Sequence, residues 1–389
     1  MIIQSLLDTD LYKFTMMQAV LHQFPAAQAE YQFHCRTADV DLRPYAHAIH
    51  AEIEHLAALR LSAAESGWLA TLPALSEDFI AHLARFRFDP RQVSVRPGRR
   101  QLEITIRGPW AATILYEVPI LAIVSETWFR AKAPDIDFSV ALMRLERKAE
   151  MLRNTAGPDF SLIEFGTRRR FSQRWHEEVL RGLQRRVPEY LAGTSNVDLA
   201  RRFGLRPMGT MAHEYFQACQ ALAPSLASAQ RFALESWLQE YGSAPGVALS
   251  DTYGTEAFLA DFDADLARRY AGARHDSGDP FAWTERMLSH YADLAVDPRE
   301  KTLTYSDSLT IPLALKIYTR YRDRARLAFG IGTHLTNDVG PSPLNIVIKM
   351  TRLNGRTVAK ISDDPGKMMC HDTAYLETLR DLYQHKAVG

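Results

Sequence analysis

The run Ser161-Leu-Ile-Glu-Phe165, broken at Gly166 and followed by apolar residues at Phe171, Trp175, Val179, Leu180 and Leu183, decides the fold. A short apolar strand ends in glycine, and a helix with an apolar stripe of period 3.6 follows. The same unit recurs downstream. Tyr190-Leu-Ala192 stops at Gly193-Thr-Ser195, ahead of a helix that ends at Gly204. Arg206 to Met211 reads as a further strand, with His213 just beyond it. Val247-Ala-Leu249 stops at Ser250-Asp251, and a helix is expected from about Thr255 to Gly272. Arg274-His-Asp-Ser-Gly-Asp-Pro280 reads as a loop, in which Asp279 and Pro280 suit the N-cap and first turn of the next helix. Lys301 to Tyr305 stops at Ser306-Asp307, Leu327-Ala-Phe329 runs into Gly330-Ile-Gly-Thr-His334, and Asn345 to Met350 closes the series. Strand and helix alternating every 25 to 40 residues or so, at roughly that spacing, favour a parallel α/β sheet or an irregular barrel.

Upstream the pattern changes. Residues 51 to 61 and 76 to 86 read as amphipathic helices, Gln101 to Ile106 alternates as a strand, and 113 to 132 reads as a buried helix. Helices and strands do not alternate regularly there, which predicts a second α/β layer of sandwich type. A boundary near residue 155 follows, and 389 residues suit two or three domains. Lys+Arg 46 against Asp+Glu 46 gives zero formal charge, which argues against a nucleic-acid partner. Cys35, Cys219 and Cys370 lie far apart without a CxxC, so a reducing compartment fits better than a disulfide or zinc scaffold. The start lacks a signal-peptide pattern, and the apolar stretch Val118 to Val124 is far short of the roughly 20 residues of a membrane span. The expectation is a cytoplasmic protein with no membrane partner.

Polar clusters fall just after the expected strands, the edge where α/β folds bind ligands. Glu164-Phe-Gly-Thr-Arg168-Arg169-Arg170 places three arginines at an expected helix start, where the helix dipole disfavours cations and an anionic ligand would offset the cost. Phe165 could stack on an aromatic ligand. Gly330-Ile-Gly332-Thr333 suits a phosphate cradle but matches neither a P-loop nor a dinucleotide fingerprint. Asp251, Asp276 and Ser306-Asp307 gather carboxylates on the same edge, and Asp279 is read as a helix cap. His213, in Gly209-Thr-Met-Ala-His213-Glu214, is the most pointed single residue.

Taken in order, Leu7-Asp-Thr-Asp-Leu-Tyr12-Lys-Phe14, Glu164 to Arg170, Gly193-Thr-Ser-Asn196, Gly209 to Glu214, His275-Asp-Ser-Gly-Asp-Pro280, Phe329 to Thr333 and Val358-Ala-Lys-Ile-Ser-Asp363 resemble the nicotinate phosphoribosyltransferases, among the type II phosphoribosyltransferases. The resemblance implies an α/β sandwich over 1–155, completed by 355–389, and an irregular α/β barrel over 156–354. It implies joining of nicotinate to phosphoribosyl pyrophosphate, with Mg²⁺ as cofactor and ATP as co-substrate through a phosphohistidine at His213. By the same resemblance Tyr12, Thr210 and Arg274, with Arg168 close by, serve nicotinate, and Thr333 holds the ribose phosphate. Ser306, Asp307 and Gly332 join the phosphate group, no metal ligands are assigned, and a homodimer is expected by analogy.

The residue chemistry agrees. A pyridine nitrogen is unprotonated at neutral pH, so no general base is required, and catalysis rests on positioning and charge stabilisation. Asp276 would bind ribose hydroxyls, and Asp251 would hold the ring of His213. Nicotinamide or quinolinate transfer, and a non-catalytic sensor of phosphoribosyl metabolites, are the alternatives. The uncharged Ser195 after Gly193-Thr194 favours a carboxylate substrate over its amide.

Overall fold

The computed structural model describes residues 1–242, 246–364, 370 and 372–388. The chain divides into two compact units, Met1–Thr155 with Leu162–Gly209 and Ile331–Lys349, and Ala156–Ser161 with Thr210–Gly330 and Met350–Gly389.

In the first unit, β1 (Gln28–Cys35) and β2 (Val93–Pro97) both pair antiparallel with β3 (Leu102–Pro109). Leu102, Ile104 and Ile106 are buried while their neighbours are less so, the period of two expected of a sheet with one face on the core. The helix Glu117–Lys132 is apolar nearly all round, with Ile120 to Val124 at most 1% exposed. The helical run Trp110–Lys132 has the length and hydropathy of a membrane span, but 83% of its apolar window is buried inside the protein, the setting of a core helix. β4 (Ser161–Glu164) and β5 (Leu191–Thr194) are parallel, with Glu164 opposite Thr194.

In the second unit β6 (Val247–Leu249), β7 (Gly272–His275), β8 (Thr302–Tyr305) and β9 (Arg326–Ile331) run parallel, with Leu249, Arg274, Thr304 and Ala328 in one register row. Helices Pro280–Asp293 and Ile311–Tyr321 connect successive strands, the first capped by Asp279, which accepts from the Ala282 amide at 2.7 Å. A Cβ at Gly272 would lie 1.8 Å from the Thr302 carbonyl oxygen, so close strand approach requires glycine there. Phe160 and Tyr305 each stack on Phe329, with centroids 4.8 and 5.6 Å away.

The mixed α/β class, with parallel and antiparallel layers, is the one the sequence predicts. Several elements differ. The strand expected over Arg206 to Met211 is reduced to one bridge between Pro207 and Thr194, because Pro207 lacks a donor for a ladder. The helix expected over 255–272 is two, Thr255–Asp261 and Ala264–Arg269, with Asp263 capping the second. The segment around Arg274, read as loop, contains β7. β10 (Ile346–Leu353) belongs to the antiparallel sheet and returns through Asn354 and Gly355, both at positive φ, into β11 (Arg356–Thr357). The units also cut the chain differently from the boundaries at 155 and 355. Residues 162–209 and 331–349 fall in the first unit, and the C-terminal helix Thr373–Val388 packs on Thr255–Asp261 in the second. Within 355–389, residues 365–369, 371 and 389 lie outside the described residues.

One ion pair is fully buried in the first unit. Arg170 Nη1 and Nη2 donate to Asp8 Oδ1 and Oδ2, each at 2.7 Å, and the two side chains are 0% and 1% exposed. Asn196 Nδ2 adds a third donor to Asp8 at 2.8 Å. Burial alone would raise the Asp8 carboxyl, but Arg170 outweighs it and holds the group below its ordinary value. Asp8→Asn strands a buried guanidinium and should cost about 3–5 kcal/mol, read as a lower urea midpoint. The apolar double replacement Asp8→Leu with Arg170→Met should recover most of that loss. Because the Asp8 pKa is lowered on folding, its contribution is present above the unfolded value and fades as pH falls through the folded one.

Candidate active site

The polar clusters after β6, β7 and β8 meet as expected. Asp251, 1% exposed, follows β6; its Oδ1 lies 2.7 Å from His213 Nε2, and its Oδ2 accepts from Lys360 Nζ and Ser277 Oγ, both at 2.6 Å. Asp276 Oδ1 accepts from Ser306 Oγ at 2.6 Å and pairs with Arg274 Nη2 at 3.0 Å, while its Oδ2 lies 3.7 Å from His213 Nδ1. Arg274 Nε donates to Ser306 Oγ at 2.7 Å, and its Nη1 donates to Thr210 Oγ1 at 2.6 Å and to the Met211 carbonyl at 3.3 Å. His213, Asp251, Asp276, Arg274, Thr210 and Ser306 therefore form one network within the second unit. Asp307, half-buried beside Ser306, accepts from Ser308 Oγ at 3.2 Å.

His213 is the first residue of the helix His213–Leu222. Burial and then the Lys360 ammonium push its pKa down to about 4, against the pull of Asp251 and Asp276, so the ring is neutral at pH 7. Both Asp251 and Lys360 approach Nε2, the latter at 2.8 Å. A proton on Nε2 suits the contact with Asp251 and leaves the lone pair on Nδ1, whereas a proton on Nδ1 suits the contacts with Lys360 and Asp276. Burial opposes ionisation of both carboxylates, yet His213 and Lys360 hold Asp251 well below its ordinary value, and Arg274 and His213 do the same for Asp276.

His213, Asp251 and Asp276 bring three potential ligand atoms within 4.8 Å of one another. They do not fit a resident Mg²⁺. Asp251 Oδ1 is taken by the His213 ring, Asp251 Oδ2 by Lys360 and Ser277, and Asp276 Oδ1 by Ser306 and Arg274, so Lys360 and Arg274 supply the positive charge a metal would bring.

A second cluster lies in the first unit. Glu117, at the start of the buried helix, takes Lys13 Nζ on Oε2 at 2.5 Å, accepts from Tyr12 Oη at 3.4 Å, and faces Arg168 Nη1 with Oε1 at 3.3 Å. Burial would raise the Glu117 carboxyl, but Lys13 and Arg168 outweigh it and bring it down to about 2. Arg168 Nε lies 3.9 Å from Asp10 Oδ2, and Ser195 Oγ donates to Asp10 Oδ1 at 2.8 Å. The neutral Ser195 is thus spent on an acidic neighbour that the sequence argument did not weigh. Burial pushes the Asp10 carboxyl and the Tyr12 phenol up.

The three arginines part company. Arg168 and Arg169 lie in a 3-10 turn, Thr167–Arg169, with Arg170 at its C-cap and the helix proper starting at Gln173. Arg170 is spent on Asp8, and Arg168 is 42% exposed. Phe165 is half-buried after β4. A Cβ on Gly332 would come within 3.0 Å of the Phe165 carbonyl oxygen, and Thr333 opens the four-residue helix Thr333–Thr336. Gly332 and Thr333 belong to the first unit, Ser306 and Asp307 to the second.

Lys13, Asp10, Glu117, Ser277 and Lys360 join these two clusters with no role expected for them from the sequence. Glu117 carried a signal, as the acidic residue heading an apolar helix, and buried charges need partners. Lys360 lay in a matched segment without a role.

The nicotinate phosphoribosyltransferase (NAPRTase) N-terminal domain profile matches residues 7–125, and the NAPRTase family profile matches 160–387. A nicotinate phosphoribosyltransferase of Cupriavidus necator is 54% identical over 98% of both chains, and one of Burkholderia mallei 51% over 98% of this chain and 97% of its own. Crystal structures of the enzyme from Vibrio cholerae (40% identity, TM-score 0.94, 98% of this chain and 94% of that one) and Porphyromonas gingivalis (36%, 0.93, 98% and 100%) share the fold. With the motifs in order and both profiles matched along nearly its whole length, this chain belongs to the nicotinate phosphoribosyltransferase family.

Proposed function

We propose that this enzyme joins nicotinate to phosphoribosyl pyrophosphate, forming nicotinate mononucleotide and pyrophosphate, with ATP hydrolysis coupled through phosphorylated His213. The single observation that supports the coupled step best is the setting of His213: a neutral ring held at Nε2 by Asp251, which with the proton on Nε2 carries its lone pair on Nδ1. Nδ1 attacks the γ-phosphorus of ATP, the bond to the β-phosphate oxygen breaks, and ADP departs. Amide groups in the first turn of His213–Leu222 and the Lys360 ammonium suit the added negative charge. In nucleotide formation the pyridine nitrogen attacks ribose C1 as pyrophosphate leaves. Asp276 would take ribose hydroxyls and favour the developing positive charge. Thr333, Gly332, Ser306 and Asp307 are assigned to phosphate groups, and Tyr12, Arg168, Phe165, Thr210 and Arg274 to nicotinate. Mg²⁺ is assigned to the pyrophosphate substrate and travels with it. Small soluble substrates suit a cytoplasmic enzyme, and a homodimer is carried over by analogy with the family.

Purified protein supplied with phosphoribosyl pyrophosphate, Mg²⁺ and each pyridine in turn should prefer nicotinate over nicotinamide by at least about 100-fold in kcat/KM, since only the carboxylate can make a charge-assisted contact with Arg168. Equal turnover of both would sink the assignment.

His213→Asn should abolish ATP hydrolysis and any acid-labile, base-stable label from γ-labelled ATP, while slow ATP-independent nucleotide formation persists. A pKa near 4 keeps the His213 ring neutral down to acid pH, so label incorporation at pH 5.5 should match that at pH 7.5. A fall by half around pH 6.5 would contradict this. The lowered value also means that protonating His213 opposes folding, with stability lost as pH drops from about 6.5 towards 4.

Arg274→Ala should cost about 2–4 kcal/mol in kcat/KM per folded molecule. Its place in β7 with four partners adds a drop in Tm, against the expectation for a loop residue. Full activity in the folded fraction would make Arg274 purely structural.

A further inference from the structure

The transfer chemistry makes no use of Glu117, yet this carboxylate touches Lys13, Tyr12 and Arg168 of the first unit's cluster. Lys13 is fully buried, so its charge acts on a ligand only through what Glu117 leaves uncancelled. Arg168 is the more exposed of the two cations, and a ligand carboxylate docking on it meets a guanidinium already shared with Glu117 Oε1 and close to Asp10 Oδ2. Lys13, Arg168 and Lys349 all act on Glu117, and Arg168 also lies near Asp10. One incoming carboxylate can share the Arg168 fork, but a second adds to the negative charge of Glu117 and Asp10, with Lys13 and Lys349 already acting on Glu117.

We propose that Glu117 is the specificity-determining residue for ligand charge, cancelling Lys13 and sharing Arg168 so that the pocket takes a pyridine ring with one carboxylate and refuses the dicarboxylate. The proposal rests on the assignment of Tyr12 and Arg168 to nicotinate.

Equilibrium binding of nicotinamide, nicotinate and pyridine-2,3-dicarboxylate, which carry zero, one and two negative charges, tests it in four proteins: wild type, Glu117→Gln, Lys13→Met and the double variant. Glu117→Gln should bind nicotinate about 10-fold tighter and the dicarboxylate about 100-fold tighter than wild type, with nicotinamide unchanged, because the Coulomb term scales with ligand charge. Lys13→Met should shift both anions the other way, and the double variant should return to wild-type affinities. Steric cost of the second carboxylate is common to all four proteins, as is the charge of Lys349 near Glu117. If Glu117→Gln does not fold, Lys13→Met and the double variant differ by the same single charge and carry the comparison. Shifts equal for all three ligands would make Glu117 structural and overturn the proposal while nicotinate turnover stands. A wild type that neither binds these pyridines nor forms the mononucleotide would overturn the function assignment as well.

Discussion

The first unit is organised around a guanidinium that has no access to water. Arg170 and Asp8 are 162 positions apart in sequence, and their two parallel 2.7 Å bonds must close if either is to be buried. Closure sets the backbone around them. The Val197 and Asp198 amides donate to the Thr9 and Leu7 carbonyls, and the Leu11 amide donates to the Ser195 carbonyl. Asn196 serves twice, donating to Asp8 and accepting the Leu199 amide as N-cap of Val197–Phe203. The segment from Leu7 to Leu11 is thereby laid against residues 195–198, and the same closure anchors the turn that carries Arg168. Arg168 is exposed because Arg170 is not.

The second unit solves the same problem with a different donor set. Asp251 is buried and ionised, so Lys360, Ser277 and the His213 ring converge on its two oxygens. The cost of burying that carboxylate is offset by these three donors, which also fix where the imidazole ring sits. Asp276 repeats the arrangement one strand along, with Arg274 and Ser306 as its donors. A set of residues that by type alone resembles a metal site is thus closed by the protein's own cations.

Much of this was legible in the sequence. The period-two stripe of β3, the glycine-punctuated strands and the Asp279 cap are local signals, and local physics produced them as expected. Asp251, Asp276 and Ser306 could be placed because each directly follows a strand of one parallel set. The failures are non-local. Arg274 and His275 look like loop by composition, and become strand only because two neighbours supply the ladder. Arg206 to Met211 failed as a strand because Pro207 cannot complete a ladder. The fate of Arg170 could not be read from its own motif, since an arginine beside two others looks like a ligand site until Asp8 arrives from the other end of the chain.

That lesson bears on how charge and selectivity are read in this family. The count of basic residues in Arg168-Arg169-Arg170 overstates the attraction an anion feels, because one guanidinium is neutralised in the core and another is shared with Glu117 and Asp10. Affinity for an anion depends on the charge left after internal pairing, which is smaller than the count of arginines. A small remainder suits discrimination: one charge more or less on the ligand is a large fraction of it, whereas in a strongly basic pocket the same charge would matter little. On the proposed assignment of Arg168 to the ligand, the carboxylates close to it turn crude attraction for anions into a comparison between ligands that differ by a single charge.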